Sequence, residues 1–269
     1  MGDFAPTFPK PWKMAERGYP PGMKTFLLLA CLALIARTKA AELNILWIGN
    51  SYTAPVWQLV GDAVTKSGGV KVKAEALTPG GCMWARHFGD GNTEAVQKIR
   101  TGKFHYVILQ DQSQAAFALK DEMKTCGAKF VQEIRAAGAE PIFYCTWAGD
   151  PKTEAGQQRW PQAPITQAYW DLAQEHKALF APVGPAWELA LKTQPKLKLH
   201  VKDGSHPNSE GRYLTMCVFY ALLTGKSPVG LPPQAAVAPA MVKPLQDAAW
   251  KTQQEWRKKM QDAGIKLPR

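Results

Sequence analysis

The chain is poor in cysteine, with five in 269 residues, and no two of them form a C-x-x-C pair. Without that spacing the usual zinc-knuckle and dithiol redox signatures are excluded. Long apolar runs are also lacking. The most extended, TFLLLACLALIA from Thr25, is about a dozen residues, whereas a bilayer-spanning helix takes about 20. No internal repeat is present, which excludes solenoids and propellers. Acidic residues are outnumbered, 22 against 33 Lys and Arg, for a net charge of +11, but the excess is dispersed. The one dense group, Arg257-Lys258-Lys259 beside Trp256, reads as the solvated face of a helix, not a nucleic-acid footprint.

What is present suits an ordinary globular chain: 46% hydrophobic residues, 20% charged, and ten Trp to fill a core. The N-terminus carries an export pattern. Met23-Lys24, the apolar run and the end RTKA, with Thr38 and Ala40 at the cleavage spacing, read as a signal peptide over about 23–40. Cys31 after Leu28-Leu29-Ala30 offers a lipoprotein signal as the lesser alternative. Residues 1–22 hold five prolines and no apolar periodicity, and Met14 and Met23 offer later starts. The expected organisation is a leader over 1–40 and a single domain over 41–269, secreted or periplasmic, with no stable membrane insertion after cleavage. Removing 1–40 lowers the net charge to +7. Cys82, Cys126, Cys145 and Cys217 then remain; an oxidising compartment allows one or two disulfides in three pairings, and buried free thiols are the alternative.

Short apolar strands alternate with amphipathic helices. LNILWIG (43–49), VKVKAEAL (70–77), HYVILQ (105–110), EPIFYCTW (140–147) and LFAPVG (179–184) read as strands, with helices near 54–67, 92–101, 119–138, 165–178, from Pro185 and over 211–223. Such alternation gives βαβ units, hence a three-layer α/β/α sandwich around a parallel sheet of about five strands. A Pro-rich link at 228–244 precedes a C-terminal helical tail, and 148–164 forms a long loop where the ligands of open α/β sheets bind.

Polar stretches at the strand ends carry the candidate chemistry. Ser51, in Gly49-Asn50-Ser51, lies just past the first strand, where a hydroxyl meets solvent and ligand. To attack a carbonyl it needs a base, a carboxylate to orient that base, and donors for the oxyanion. KDGSHPNSEG (202–211) places Asp203 three residues before His206, close enough for the carboxylate to hold one ring nitrogen and leave the other for a nucleophile. TPGG (78–81) offers backbone N–H groups, and LQDQSQ (109–114) offers amide donors at the same edge. Taken singly, each stretch is equally a turn or a helix cap.

Together the four stretches resemble the SGNH hydrolases, or GDSL-like esterases, over nearly all of 43–224. IGNSYT looks like the nucleophile block, Gly80-Gly81 the glycine block, VILQDQS the asparagine block and DGSHPN the acid and base block. The resemblance implies the flavodoxin-like fold of that superfamily and a serine carboxylic ester hydrolase. Ser51, His206 and Asp203 would be its triad, and the N–H groups of Ser51 and Gly81 with the Gln112 amide its oxyanion hole. No metal or organic cofactor is implied. Two departures stand out: Asn50 replaces the aspartate of Gly-Asp-Ser, and the third block has no Asn, which puts Gln112, or Gln110 as the alternative, in its place. Exported relatives suggest short acyl groups, acetyl first, removed from carbohydrates. Gly80, Gln110, Trp84, His87 and Trp147 are then candidate substrate contacts, as are Trp160 and Arg86. A lipid or small-ester hydrolase, and a non-catalytic carbohydrate-binding relative, are the other readings.

Overall fold

A computed structural model describes residues 42–153, 161–234 and 236–268. The leader and signal-peptide reading, and Trp160, lie outside the described residues.

The strands are β1 (Glu42–Ile48), β2 (Lys71–Leu77), β3 (Tyr106–Leu109), β4 (Glu140–Tyr144) and β5 (Leu179–Ala181). They form one sheet in the order β2-β1-β3-β4-β5, every pair parallel. Ile45 to Ile48 of β1 and Val107 to Leu109 of β3 are fully buried, as expected of central parallel strands covered on both faces. Edge strand β2 instead exposes Lys71, Lys73 and Glu75, charges that discourage pairing with another chain.

The helices are α1 (Trp57–Ala63, continued by a π turn, Val64–Gly68), α2 (Trp84–Phe88), α3 (Glu94–Thr101), α4 (Ala115–Ala118), α5 (Lys120–Ala136), α6 (Gln162–His176), α7 (Val183–Thr193), α8 (Ser209–Thr224) and α9 (Pro239–Asp262). Adjacent strand residues face opposite layers, and β4 shows both. Tyr144 meets Phe219 of α8, which also packs on Trp47 of β1. Phe143 meets Trp84 of α2, itself packed on Phe130 of α5 and Tyr169 of α6. Helices α1, α7 and α9 accompany α8 on the first face, and α3 packs on α5 on the second. The expected three-layer sandwich is therefore the observed fold.

Two details depart from the sequence reading. Helix α8 is buried from Tyr213 through Leu223 because α9 covers its outer side, so α9 is a packed layer element with Leu245, Ala249 and Met260 fully buried. It begins at Pro239, inside the expected Pro-rich link. Proline is tolerated at a helix start, where its missing N–H has no partner to lose, although Pro244 lies further inside. Short helices α2 and α4 are absent from the sequence reading, because contacts distant in sequence set them. The Trp84 N–H that opens α2 is held by the Asp111 carboxylate at 2.8 Å.

Beyond their last paired residues the strands deliver their loops to one edge. Ile48 pairs with both Leu77 and Leu109. The ladder runs one residue further through Gly49 N–H to Leu77 C=O at 3.0 Å and Gln110 N–H to Ile48 C=O at 2.9 Å.

Candidate active site

The turn after β1 is built around Asn50. Its C=O accepts the N–H groups of Thr53 and Ala54 at 2.9 and 3.0 Å, closing the turn that presents Ser51. Its buried side chain accepts the Tyr52 N–H at 3.1 Å and donates to the Cys82 C=O at 3.0 Å, tying the serine turn to the glycine loop. An ionised carboxylate could not do both, since it has no proton to donate. This is the physical reason for asparagine here: an aspartate would set negative charge against the Cys82 carbonyl.

Residues far apart in sequence converge on Ser51. Its Oγ lies 2.8 Å from His206 Nε2, and His206 Nδ1 lies 2.6 Å from Asp203 Oδ2. The other Asp203 oxygen accepts the backbone N–H groups of Ser205 and His206 at 2.8 and 2.9 Å. Burial pushes the Asp203 carboxyl up, but the His206 ring and these N–H groups outweigh it and hold it below its ordinary value. An ionised carboxylate only accepts, so the ring proton sits on Nδ1 and Nε2 is left to accept from Ser51.

The loop carrying Asp203 and His206 is braced from two elements. Trp147 Nε1 donates to the Ser205 C=O at 2.9 Å, and Asp150 N–H donates to the Gly204 C=O at 2.8 Å. The Tyr52 hydroxyl is 2.6 Å from Ser205 Oγ, and the Tyr52 ring stands edge-on to His206 at 5.3 Å. Tyr52 and Ser205 are supports that the sequence reading missed; the available signal was that each adjoins a candidate residue, Ser51 or His206.

In the serine turn and the glycine loop, among the described residues neither the Ser51 nor the Gly81 N–H meets a backbone acceptor. Gly81 has φ of 65°, which glycine adopts without strain. Gln112 accepts the Gln114 N–H on its side-chain oxygen at 2.6 Å, which fixes the amide. Its own N–H donates to Asp111 Oδ1 at 2.8 Å.

Asp111 holds this loop together from below. Burial pushes its carboxyl up from 3.8 to about 6, against the pull of the Trp84 and Gln112 N–H groups. The raised value means the fold favours the protonated form, so its contribution to stability is lost as pH rises from about 4 to 6. Asparagine keeps the acceptor and removes the charge. Asp111→Asn should therefore gain on the wild type between pH 4 and pH 7 by up to about 3 kcal/mol, read from denaturant unfolding of both proteins at the two pH values. An equal difference at both would show that Asp111 is not the titrating group.

Four candidate substrate contacts require correction. Trp84 and Gln110 are fully buried, Trp147 is 1% exposed and His87 6%. Trp147 is stacked between Trp187 and Tyr52, at 4.1 and 4.7 Å between ring centres. His87 Nε2 is 2.7 Å from the Gly49 C=O, and burial lowers its pKa, so a neutral ring braces the end of β1. Gln110 faces inward on the turn of Ser51. Gly80 and Arg86 do lie at the surface. All four described cysteines are buried free thiols, the second of the two alternatives the sequence left open. A cavity of about 360 Å³ lies behind Trp147, lined by Trp187, Leu191 and His200 among others, and does not reach Ser51. Among the described residues no helix is long and apolar enough to cross a membrane.

No family model matches the chain, and no curated protein matches it. Solved structures do. A DUF4886 family protein from Bacteroides uniformis is 20% identical with a TM-score of 0.65, over 78% of this chain and 94% of its own. A proposed SGNH hydrolase from Slackia heliotrinireducens is 21% identical with a TM-score of 0.57, over 69% and 100%. A catalytic mutant of an acetylxylan esterase from Geobacillus stearothermophilus is 13% identical with a TM-score of 0.53, over 68% and 94%. The chain thus has the fold of the SGNH hydrolases.

Proposed function

We propose that this chain is a serine esterase of the SGNH type that removes short acyl groups, acetyl first, from carbohydrates outside the cytoplasm. The observation that carries the reading is the relay from Ser51 through His206 to Asp203, at 2.8 and 2.6 Å, set on two loops distant in sequence. His206 takes the Ser51 proton as Oγ attacks the ester carbonyl, and Asp203 holds the imidazolium that forms. The tetrahedral intermediate collapses to an acyl-enzyme with the alcohol leaving, protonated by His206. Water, deprotonated by His206, then releases the acid. The N–H groups of Ser51 and Gly81 and the Gln112 amide receive the oxyanion, each lost donor costing about 3 kcal/mol.

The acetyl and carbohydrate parts of the proposal draw support from the fold shared with an acetylxylan esterase and from the export pattern of the sequence. Hydrolysis of p-nitrophenyl esters of increasing acyl length, together with acetate release from acetylated xylan, tests both. Preference for acetate on the polysaccharide is the expected result. A rate that climbs with acyl length would favour a lipid substrate, and no turnover on any ester would leave a carbohydrate-binding relative. Gln112→Ala should lower kcat by roughly 100- to 1,000-fold with little change in KM, because the bond it removes strengthens only in the transition state. Steady-state kinetics on a saturable acetyl ester read the split, and a raised KM at constant kcat would make Gln112 a substrate contact instead.

A further inference from the structure

Ser51 and Gln112 sit on loops that follow different strands, β1 and β3. An oxyanion donor is useful only where the tetrahedral oxygen will form, so the two loops must be fixed against each other. Gln110 spans that gap. Its side chain is fully buried, and its oxygen accepts the Asn50 N–H at 3.0 Å and the Thr53 hydroxyl at 2.8 Å. Its amide nitrogen donates to the Asp111 C=O. Asn50 immediately precedes Ser51, Thr53 lies two residues beyond it, and Asp111 immediately precedes Gln112. One planar amide therefore joins the residues around the nucleophile to the residue before the oxyanion donor.

The closeness of this fit is recorded at Gly49. A Cβ there would stand 2.7 Å from the Gln110 side-chain oxygen and 2.5 Å from Thr53 Oγ1. Any larger residue would push the amide off the turn. Burying an amide in a core gains little over an apolar side chain of the same shape, so packing alone does not account for glutamine at this position, whereas holding two loops in register does.

We infer that Gln110 is a positioning residue that sets the Ser51 turn and the Gln112 loop in register for acyl transfer. The inference rests on the esterase reading. Its test is a set of three variants assayed on p-nitrophenyl acetate, with melting temperature measured beside kcat and KM. Gln110→Met keeps the length and removes every hydrogen bond. It should fold and lose about 100-fold in kcat, with KM within about threefold of wild type. Gln110→Glu keeps the acceptor for Asn50 and Thr53 but loses the donor to the Asp111 carbonyl, and should fall between. Thr53→Val removes one of the two donors to the amide oxygen and should cost about tenfold or less. A merely structural glutamine would lower the melting temperature and leave kcat of the folded protein unchanged.

A folded Gln110→Met with kcat within about threefold of wild type overturns the inference. Should that variant fail to fold, undiminished kcat in both Gln110→Glu and Thr53→Val overturns it equally. Wild-type protein that hydrolyses no ester overturns the esterase reading and the inference with it. An active wild type beside an undiminished Gln110→Met overturns the inference alone.

Discussion

Replacing Ser51 with alanine should lower kcat on p-nitrophenyl acetate on the order of 10⁶-fold, with a melting temperature close to that of the wild type. The residue is partly exposed in a turn, and the bonds that close the turn belong to Asn50, Gln110 and Cys82. The one hydrogen bond of its hydroxyl among the described residues is with His206 Nε2. Its removal therefore takes the attacking atom and leaves the scaffold. The oxyanion donors and His206 persist in the variant, so a small residue of hydrolysis through direct attack of water is compatible with the assignment. A folded Ser51→Ala protein within a few-fold of wild-type activity is not.

Asp203→Asn should cost about 10⁴-fold in kcat, a large but incomplete loss, and the geometry says why. One carboxylate oxygen of Asp203 takes the backbone N–H groups of Ser205 and His206, and the other takes the ring. Asparagine has a single acceptor oxygen, and the two N–H groups hold it. Its NH2 then faces His206 Nδ1 and donates to it. The ring must carry its proton on Nε2 instead, where it cannot accept from Ser51. The protein should remain folded, because the loop keeps its backbone bonds, and KM should change little. Unaltered kcat in Asp203→Asn would reduce Asp203 to a turn residue.

The central strands were legible in the sequence because burial on both faces leaves nothing but apolar residues in ILWI (45–48) and VIL (107–109). The order of polar stretches at their ends was legible for the same reason, since a parallel sheet sends successive loops to one edge. What the sequence did not reveal was the direction in which loop residues turn. Trp147 follows β4 into a loop, yet Trp187 and Tyr52 sandwich it and draw it inward. His87 follows the glycine loop, yet α2 turns it under Gly49. Gln110 and Gln112 are two apart and would share a face in a strand. Gln110 still extends the ladder, whereas Gln112 belongs to the turn that starts α4 and is anchored by Gln114. Where the chain leaves the ladder the alternation ends, and with it the sequence's ability to distinguish a buried brace such as Gln110 from a half-buried amide such as Gln112.

The measurement that bears most directly on the central claim is covalent capture of the nucleophile by an organophosphonate, located by peptide mass spectrometry. One adduct per chain is expected, on the peptide that carries Ser51, with ester hydrolysis lost in step with labelling and no adduct in Ser51→Ala. An adduct on another serine that abolishes activity, or full hydrolysis by protein labelled at Ser51, would contradict it.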